Sequence, residues 1–214
     1  MKEVLYDWGG ANLWLFHAIN NMRAEYLDQF MLLGTRIGSH VYFPAYLAIF
    51  TLIALVMVSR ALRHSQHTGQ QMALRWLAAI SVFALGYGLD GAFLTWLKPF
   101  LDFPRPPLAL PAGSLHILGE PEYHYSLPSG HASFAMLLGA AFWPVLNRTG
   151  RIAVGAFVVW VGLSRISVGA HFPADILAAY LSSLAIALLV RAGVDRALHL
   201  RRSRLRPLFG RSKT

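Results

Sequence analysis

VYFPAYLAIFTLIALVMVS, residues 41–59, runs for 19 positions without a charged side chain. Roughly 20 consecutive apolar residues let a helix cross the hydrocarbon core of a bilayer. Inside that core every backbone N–H and C=O needs a partner, and a helix supplies them within its own segment. The stretch therefore predicts a membrane helix, and with it an all-α polytopic membrane helix bundle. Composition points the same way. The 214 residues are 56% hydrophobic and 14% charged, with mean hydropathy +0.46, whereas a soluble domain carries about a quarter charged residues.

Reading outward from this stretch, residues 76–97 form a second apolar run with one charge, Asp90. Residues 131–146 and 152–164 are apolar but short, and residues 174–190 are apolar except for Asp175. The short runs suffice as spans if their polar ends are helical or if they face a protein-lined cavity. Five firm transmembrane helices are expected. Before them, NLWLFHAINNM (12–22) and LDQFMLLGTRIG (27–38) are amphipathic and predict an N-terminal interfacial or sixth helix. The N-terminus lacks the pattern of a cleavable signal peptide, and the chain has no cysteine, which excludes disulfide and thiolate chemistry. Without repeats or linkers, residues 1–214 read as a single domain.

The net charge of +9 raises nucleic-acid binding, but its distribution argues against it. Arg60, Arg63 and Arg75 lie between the first two spans, Arg148 and Arg151 in a tight turn, and eight more basic residues between Arg191 and Lys213. If the spans alternate, all three segments fall on one side, which is the positive-inside pattern of a cytoplasmic face. Anionic headgroups, not phosphodiester backbones, account for such a tail.

The opposite, external face collects three polar motifs: KPFLDFPRP (98–106), PSGH (128–131) and SRISVGAHFPAD (164–175). Each has an ordinary structural reading. Lys98 and Arg105 could snorkel from a helix end, Arg165 could offset a helix dipole, Ser129 could cap a helix, and His171 with Asp175 could be a structural i,i+4 pair. Their convergence from three segments favours chemistry on a phosphate. Three cations neutralise a dianionic group, with arginine's fork holding two oxygens. A helix beginning at Ser129–Gly130–His131 presents free N–H groups to an anion. A histidine backed by a carboxylate is a competent nucleophile, and a second histidine supplies a proton to the leaving oxygen.

The arrangement K-x6-R-P, PSGH and SR-x5-H-x3-D resembles the three-part signature of the type-2 phosphatidic acid phosphatase superfamily. It is carried by Lys98, Arg105 and Pro106, by Pro128 to His131, and by Ser164, Arg165, His171 and Asp175. The resemblance implies that His171 attacks phosphorus to give a phosphohistidine, that Asp175 orients it, and that His131 protonates the leaving group. It also implies that Lys98, Arg105, Ser129, Gly130 and Arg165 bind the phosphate, without metal or cofactor. The expected substrate is a membrane lipid phosphate. The compact length and the N-terminal NLWLFHAIN are similar to small bacterial undecaprenyl-diphosphate phosphatases, which makes that lipid the first expectation. Phosphatidic acid, phosphatidylglycerol phosphate and lipid A are the alternatives, as are phosphotransfer between lipids and a non-catalytic anion-binding transport module. Implied too are a bacterial inner-membrane location and an external or periplasmic active site. Asp90, amid Gly86, Gly88 and Gly91, reads as a bond to a neighbour in close helix packing, with a functional intramembrane carboxylate as the alternative. The loop 107–127 with His116, Glu120, Glu122, Tyr123 and His124 reads as a solvated loop, with a lid or substrate rim as the alternative.

Overall fold

The computed structural model describes the backbone of residues 6–209 and the side chains up to residue 198. Arg211 and Lys213 of the basic tail lie outside the described residues. The architecture is all-α. Two short helices, α1 (Ala11–Asn20) and α2 (Glu25–Ile37), precede α3 (Phe43–His64), α4 (Gln66–Leu101), the one-turn α5 (Pro106–Ala109), α6 (Gly130–Phe142), α7 (Arg148–Ser167) and α8 (Pro173–Phe209).

Local chemistry sets the boundaries. Ser65 separates α3 from α4 with an extended backbone, and its hydroxyl accepts a long 3.5 Å hydrogen bond from the Thr68 N–H. Asn147 starts α7 by accepting from the Gly150 N–H at 2.8 Å, filling one of the donors a helix start leaves open. Asp102 ends α4 in the left-handed region.

Among the described residues, four segments are long and apolar enough to cross a membrane: His40–His64, Gln66–Ala109, Arg148–Ser167 and Pro173–Leu198. The fifth expected span, Gly130–Val145, is a shorter apolar helix. Its α-helical part, α6, has 13 residues and is about 20 Å long at 1.5 Å per residue, short of the core thickness. It forms the centre of the bundle, packed on α4, α7 and α8, with most of its residues buried. An enclosed helix has no lipid face to extend, so its short length is tolerated. The N-terminal region likewise forms two helices of 10 and 13 residues, neither of them long enough to cross the bilayer.

Lipid tails are as apolar as leucine, so shape, not water exclusion, joins these helices. Phe83, Phe134, Leu137 and Phe142 interlock at the centre, and Phe50 stacks on Phe142 with centroids 3.8 Å apart. Close approach depends on small residues. A Cβ at Gly86 would stand 2.7 Å from Leu137 Cδ1, and one at Gly162 would strike the Tyr180 hydroxyl and lie 2.8 Å from Ile176 Cγ2.

Candidate active site

The segment between α4 and α6 folds back on itself. The Arg105 N–H donates to the Tyr123 carbonyl at 2.8 Å and the Ser126 N–H to the Phe103 carbonyl at 2.9 Å. These two bonds bring Arg105, Glu122 and Ser126 beside the turn joining α7 to α8. That turn needs Gly169, whose φ is +80° and whose added Cβ would lie 2.5 Å from the His116 carbonyl oxygen. Only a residue without a side chain accommodates both conditions.

His171 and Asp175 are fully buried here. They do not share a helix face as their spacing suggested. His171 precedes α8, and Asp175 in its first turn reaches back to it. Asp175 Oδ2 lies 3.2 Å from His171 Nδ1 and accepts from the Ser126 hydroxyl at 2.6 Å and the Phe172 N–H at 2.9 Å. On the other side of the ring, Nε2 lies 3.0 Å from Arg105 Nη1. A guanidinium only donates, so Nε2 is the acceptor and the ring proton of neutral His171 resides on Nδ1, facing the carboxylate. Burial first, then the charges of Arg105, Arg165 and Lys98, push the His171 pKa well below its ordinary value. The imidazole is therefore neutral, with a lone pair on Nε2, as a nucleophile requires.

Arg105 is anchored by donating through Nε to the His124 carbonyl at 2.8 Å and through Nη1 to the Ala170 carbonyl at 3.3 Å. Its Nη2 pairs with Glu122 Oε2 at 2.8 Å, while the other oxygen of Glu122 lies 3.4 Å from Arg165 Nη2. One half-exposed carboxylate thus bridges two buried arginines. Lys98 sits on the last turn of α4, within electrostatic reach of Arg105, Glu122 and Arg165. Ser129 occupies the capping position of α6 but makes no capping bond. Its buried Oγ and Arg165 Nε have no protein partner. A buried polar atom without a partner is costly, and both are suited to an incoming oxygen-rich group. A Cβ at Gly130 would meet nothing within 4 Å, so the backbone there faces open space.

His131, next in the chain, is half-buried and has its ring edge-on to His40, centroids 6.4 Å apart. It lies within electrostatic reach of His171, Arg165 and Arg105. A cleft of about 620 Å³ opens beside this cluster, lined by Lys98, Arg105, Glu122 and Gly130 and continuing along α4 past Gly91 to Tyr87. Its depth reaches Asp90, which accepts a 2.7 Å hydrogen bond from Ser183 of α8.

The first two motifs thus line one partly open cleft, the third joins them through His171 against Arg105, and the characteristic signature of the PAP2 superfamily matches residues 77–198, more than half of the chain. The chain belongs to the PAP2 superfamily. Among curated PAP2 relatives, lipid A 1-phosphatase of Rhizobium johnstonii is 28% identical over 158 residues, covering 68% of this chain and 63% of that protein. The namesake from Rhizobium etli is 42% identical over 53 residues, 25% of this chain and 22% of its own length. The chain thus spans less than two thirds of the curated relatives it matches. Two crystal structures share the fold. LpxE of Aquifex aeolicus has TM-score 0.68 and 21% identity, covering 84% of this chain and 94% of that one. The transmembrane PAP2-type phosphatidylglycerolphosphate phosphatase of Bacillus subtilis has TM-score 0.64 and 22% identity, covering 88% and 86%.

Sequence reasoning missed four residues of this PAP2 site: Tyr6, His40, Glu122 and Ser126. Glu122 and Ser126 lie within ten residues of His131, in the stretch flagged as a polar loop, and were within reach of closer reading. Tyr6 and His40 come from segments carrying no motif.

Proposed function

We propose that this protein is a lipid phosphatase of the external membrane face that cleaves a phosphate monoester from a membrane lipid, with lipid A the leading substrate. The observation that carries the reading is the held His171: Nδ1 faces Asp175 and Nε2 faces Arg105, which lines the cleft. Nε2 attacks phosphorus while Arg105, Arg165, Lys98, the Ser129 hydroxyl and the N–H groups at Gly130 hold its oxygens. The P–O bond to the lipid breaks as protonated His131 gives its proton to the departing alkoxide. Water, giving a proton back to His131, then attacks phosphorus and the P–N bond breaks, releasing phosphate and neutral His171. Asp175 fixes the ring and stabilises the positive charge developing on it.

The names of the curated relatives support lipid A over the undecaprenyl diphosphate expected from length and N-terminal sequence, which no named relative favours. Phosphatidylglycerol phosphate is the second reading, supported by the shared fold of the Bacillus enzyme. The reaction is read as metal-independent hydrolysis by a single domain, residues 1–214, in a bacterial inner membrane with the basic tail cytoplasmic. It involves no nucleic acid.

A turnover panel tests this. Purified protein with chelator present is given lipid A, phosphatidylglycerol phosphate, phosphatidic acid and undecaprenyl diphosphate, and inorganic phosphate is measured. Preferred release from lipid A supports the proposal. Preference for another lipid replaces the substrate, transfer to a lipid acceptor makes the enzyme a phosphotransferase, and retained lipid binding without any release favours the anion-binding module.

A further inference from the structure

The PAP2 match begins at residue 77, yet a residue far outside it touches the catalytic carboxylate. The Tyr6 hydroxyl donates to Asp175 Oδ1 at 2.9 Å. The oxygen Oδ2 is held by Ser126, the Phe172 N–H and His171, so Tyr6 secures the opposite oxygen. A carboxyl group pinned at both oxygens cannot rotate about its terminal torsion, which is otherwise broad. The ring of Tyr6 is itself fixed, with centroids 4.7 Å from Phe103 and 5.9 Å from Phe172. Burial and the adjoining carboxylate raise the Tyr6 pKa, keeping the phenol a donor.

The rest of the N-terminal region grips the same turn. Asn12 Oδ1 accepts from the Ala174 N–H at 2.9 Å. Asn20, fully buried, donates to the Ser167 carbonyl at 3.0 Å and the His116 carbonyl at 2.8 Å, and accepts from the His116 N–H at 2.8 Å. Arg23 Nη2 also donates to the Ser167 carbonyl. Both ends of the turn carrying His171 are therefore tied to residues 6–23.

We propose that Tyr6 is a positioning residue for phosphoryl transfer, holding Asp175 in the orientation that aims Oδ2 at His171 Nδ1, and that residues 6–23 brace the catalytic turn. The inference rests on the reading of His171 as nucleophile. Tyr6 is absent from the lining of the cleft beside Lys98 and Arg105. Its effect is on how fast the imidazole attacks, not on how well lipid binds.

The test uses the full chain in detergent micelles with lipid A and with p-nitrophenyl phosphate as substrates. Tyr6→Phe keeps the ring packing and deletes the donor. It should lower kcat about tenfold, as expected for one hydrogen bond to a charged group, while KM stays within twofold and the melting temperature is unchanged. Rapid-quench trapping should show phosphoenzyme forming more slowly by the same factor. Tyr6→Leu, which also removes the ring, should lower kcat to a similar degree and the melting temperature as well. Wild-type kcat in Tyr6→Phe overturns the inference, as does a kcat loss confined to Tyr6→Leu, which would assign the effect to ring packing. Activity that survives His171→Ala would overturn the nucleophile reading, and this inference with it.

Discussion

Arg105 Nη1 lies 3.0 Å from His171 Nε2, so the nitrogen proposed to attack is occupied by a group proposed to bind the phosphate. The same guanidinium is paired with Glu122. Arg105 is thus held between an internal anion, Glu122, and an internal base, His171.

Glu122, paired with both Arg105 and Arg165, is expected to compete with phosphate for them. Glu122→Gln removes the charge while keeping the shape. Inhibition by orthovanadate and by inorganic phosphate should tighten about tenfold, on the scale of a charge-assisted bond. Unchanged or weaker inhibition would mean that Glu122 orients the arginines without competing for them.

The two histidines should separate by leaving group. His171→Ala should abolish activity on every substrate and remove the phosphoenzyme. His131→Ala should be severely impaired on a lipid monoester but recover much of its rate on p-nitrophenyl phosphate, whose leaving group needs no proton. General acid catalysis is worth about two to four orders of magnitude, which sets the expected gap between the two substrates. An equal loss on both would remove His131 from that role.

The depressed pKa of His171 has a defined sign. The unfolded chain takes up this proton near the ordinary pKa of about 6.5, and the folded protein does not. Stability from this site is thus complete above that pH and declines as pH falls through it, by at most about 1.4 kcal/mol per unit. Between pH 7.5 and 5.5 the melting temperature of the wild type should fall more than that of His171→Asn. Equal falls would show that the imidazole takes up its proton normally in the folded protein.

Gly162 of α7 leaves room for two side chains of α8, Tyr180 and Ile176. Its added Cβ would meet the Tyr180 hydroxyl, which donates to the Val158 carbonyl at 2.5 Å. Gly162→Ala should destabilise by about 1–3 kcal/mol through overpacking, read as a lowered midpoint in detergent unfolding. A wild-type midpoint would show that Tyr180 can move aside at little cost.

What the sequence disclosed follows the range of the interactions involved. Apolar runs are local, so every long helix was visible, although residues 131–146 did not announce that they would be enclosed by the other helices. Lys98, Arg105, Ser129, Arg165 and His171 stand at readable intervals within short motifs. The 169-residue separation of Tyr6 from Asp175 leaves no periodicity to detect. Nor did the loop composition indicate that Glu122, among several polar neighbours, would be the one to reach both arginines. Asp90 reads in the fold as an interhelical tie to Ser183, a partner chosen by packing and invisible in spacing.

The wall of the cleft has a kinetic corollary. Gly88, Gly91, Ala92 and Thr95 line it and are exposed on the flank of α4, a segment of membrane-spanning length. On the proposed lipid-phosphatase reading, the substrate enters along that flank from the surrounding bilayer and not through water. Encounter is then two-dimensional. Its frequency follows the mole fraction of substrate among neighbouring lipids, so diluting the membrane with inert phospholipid slows turnover, whereas diluting the suspension with buffer leaves each vesicle's rate unchanged.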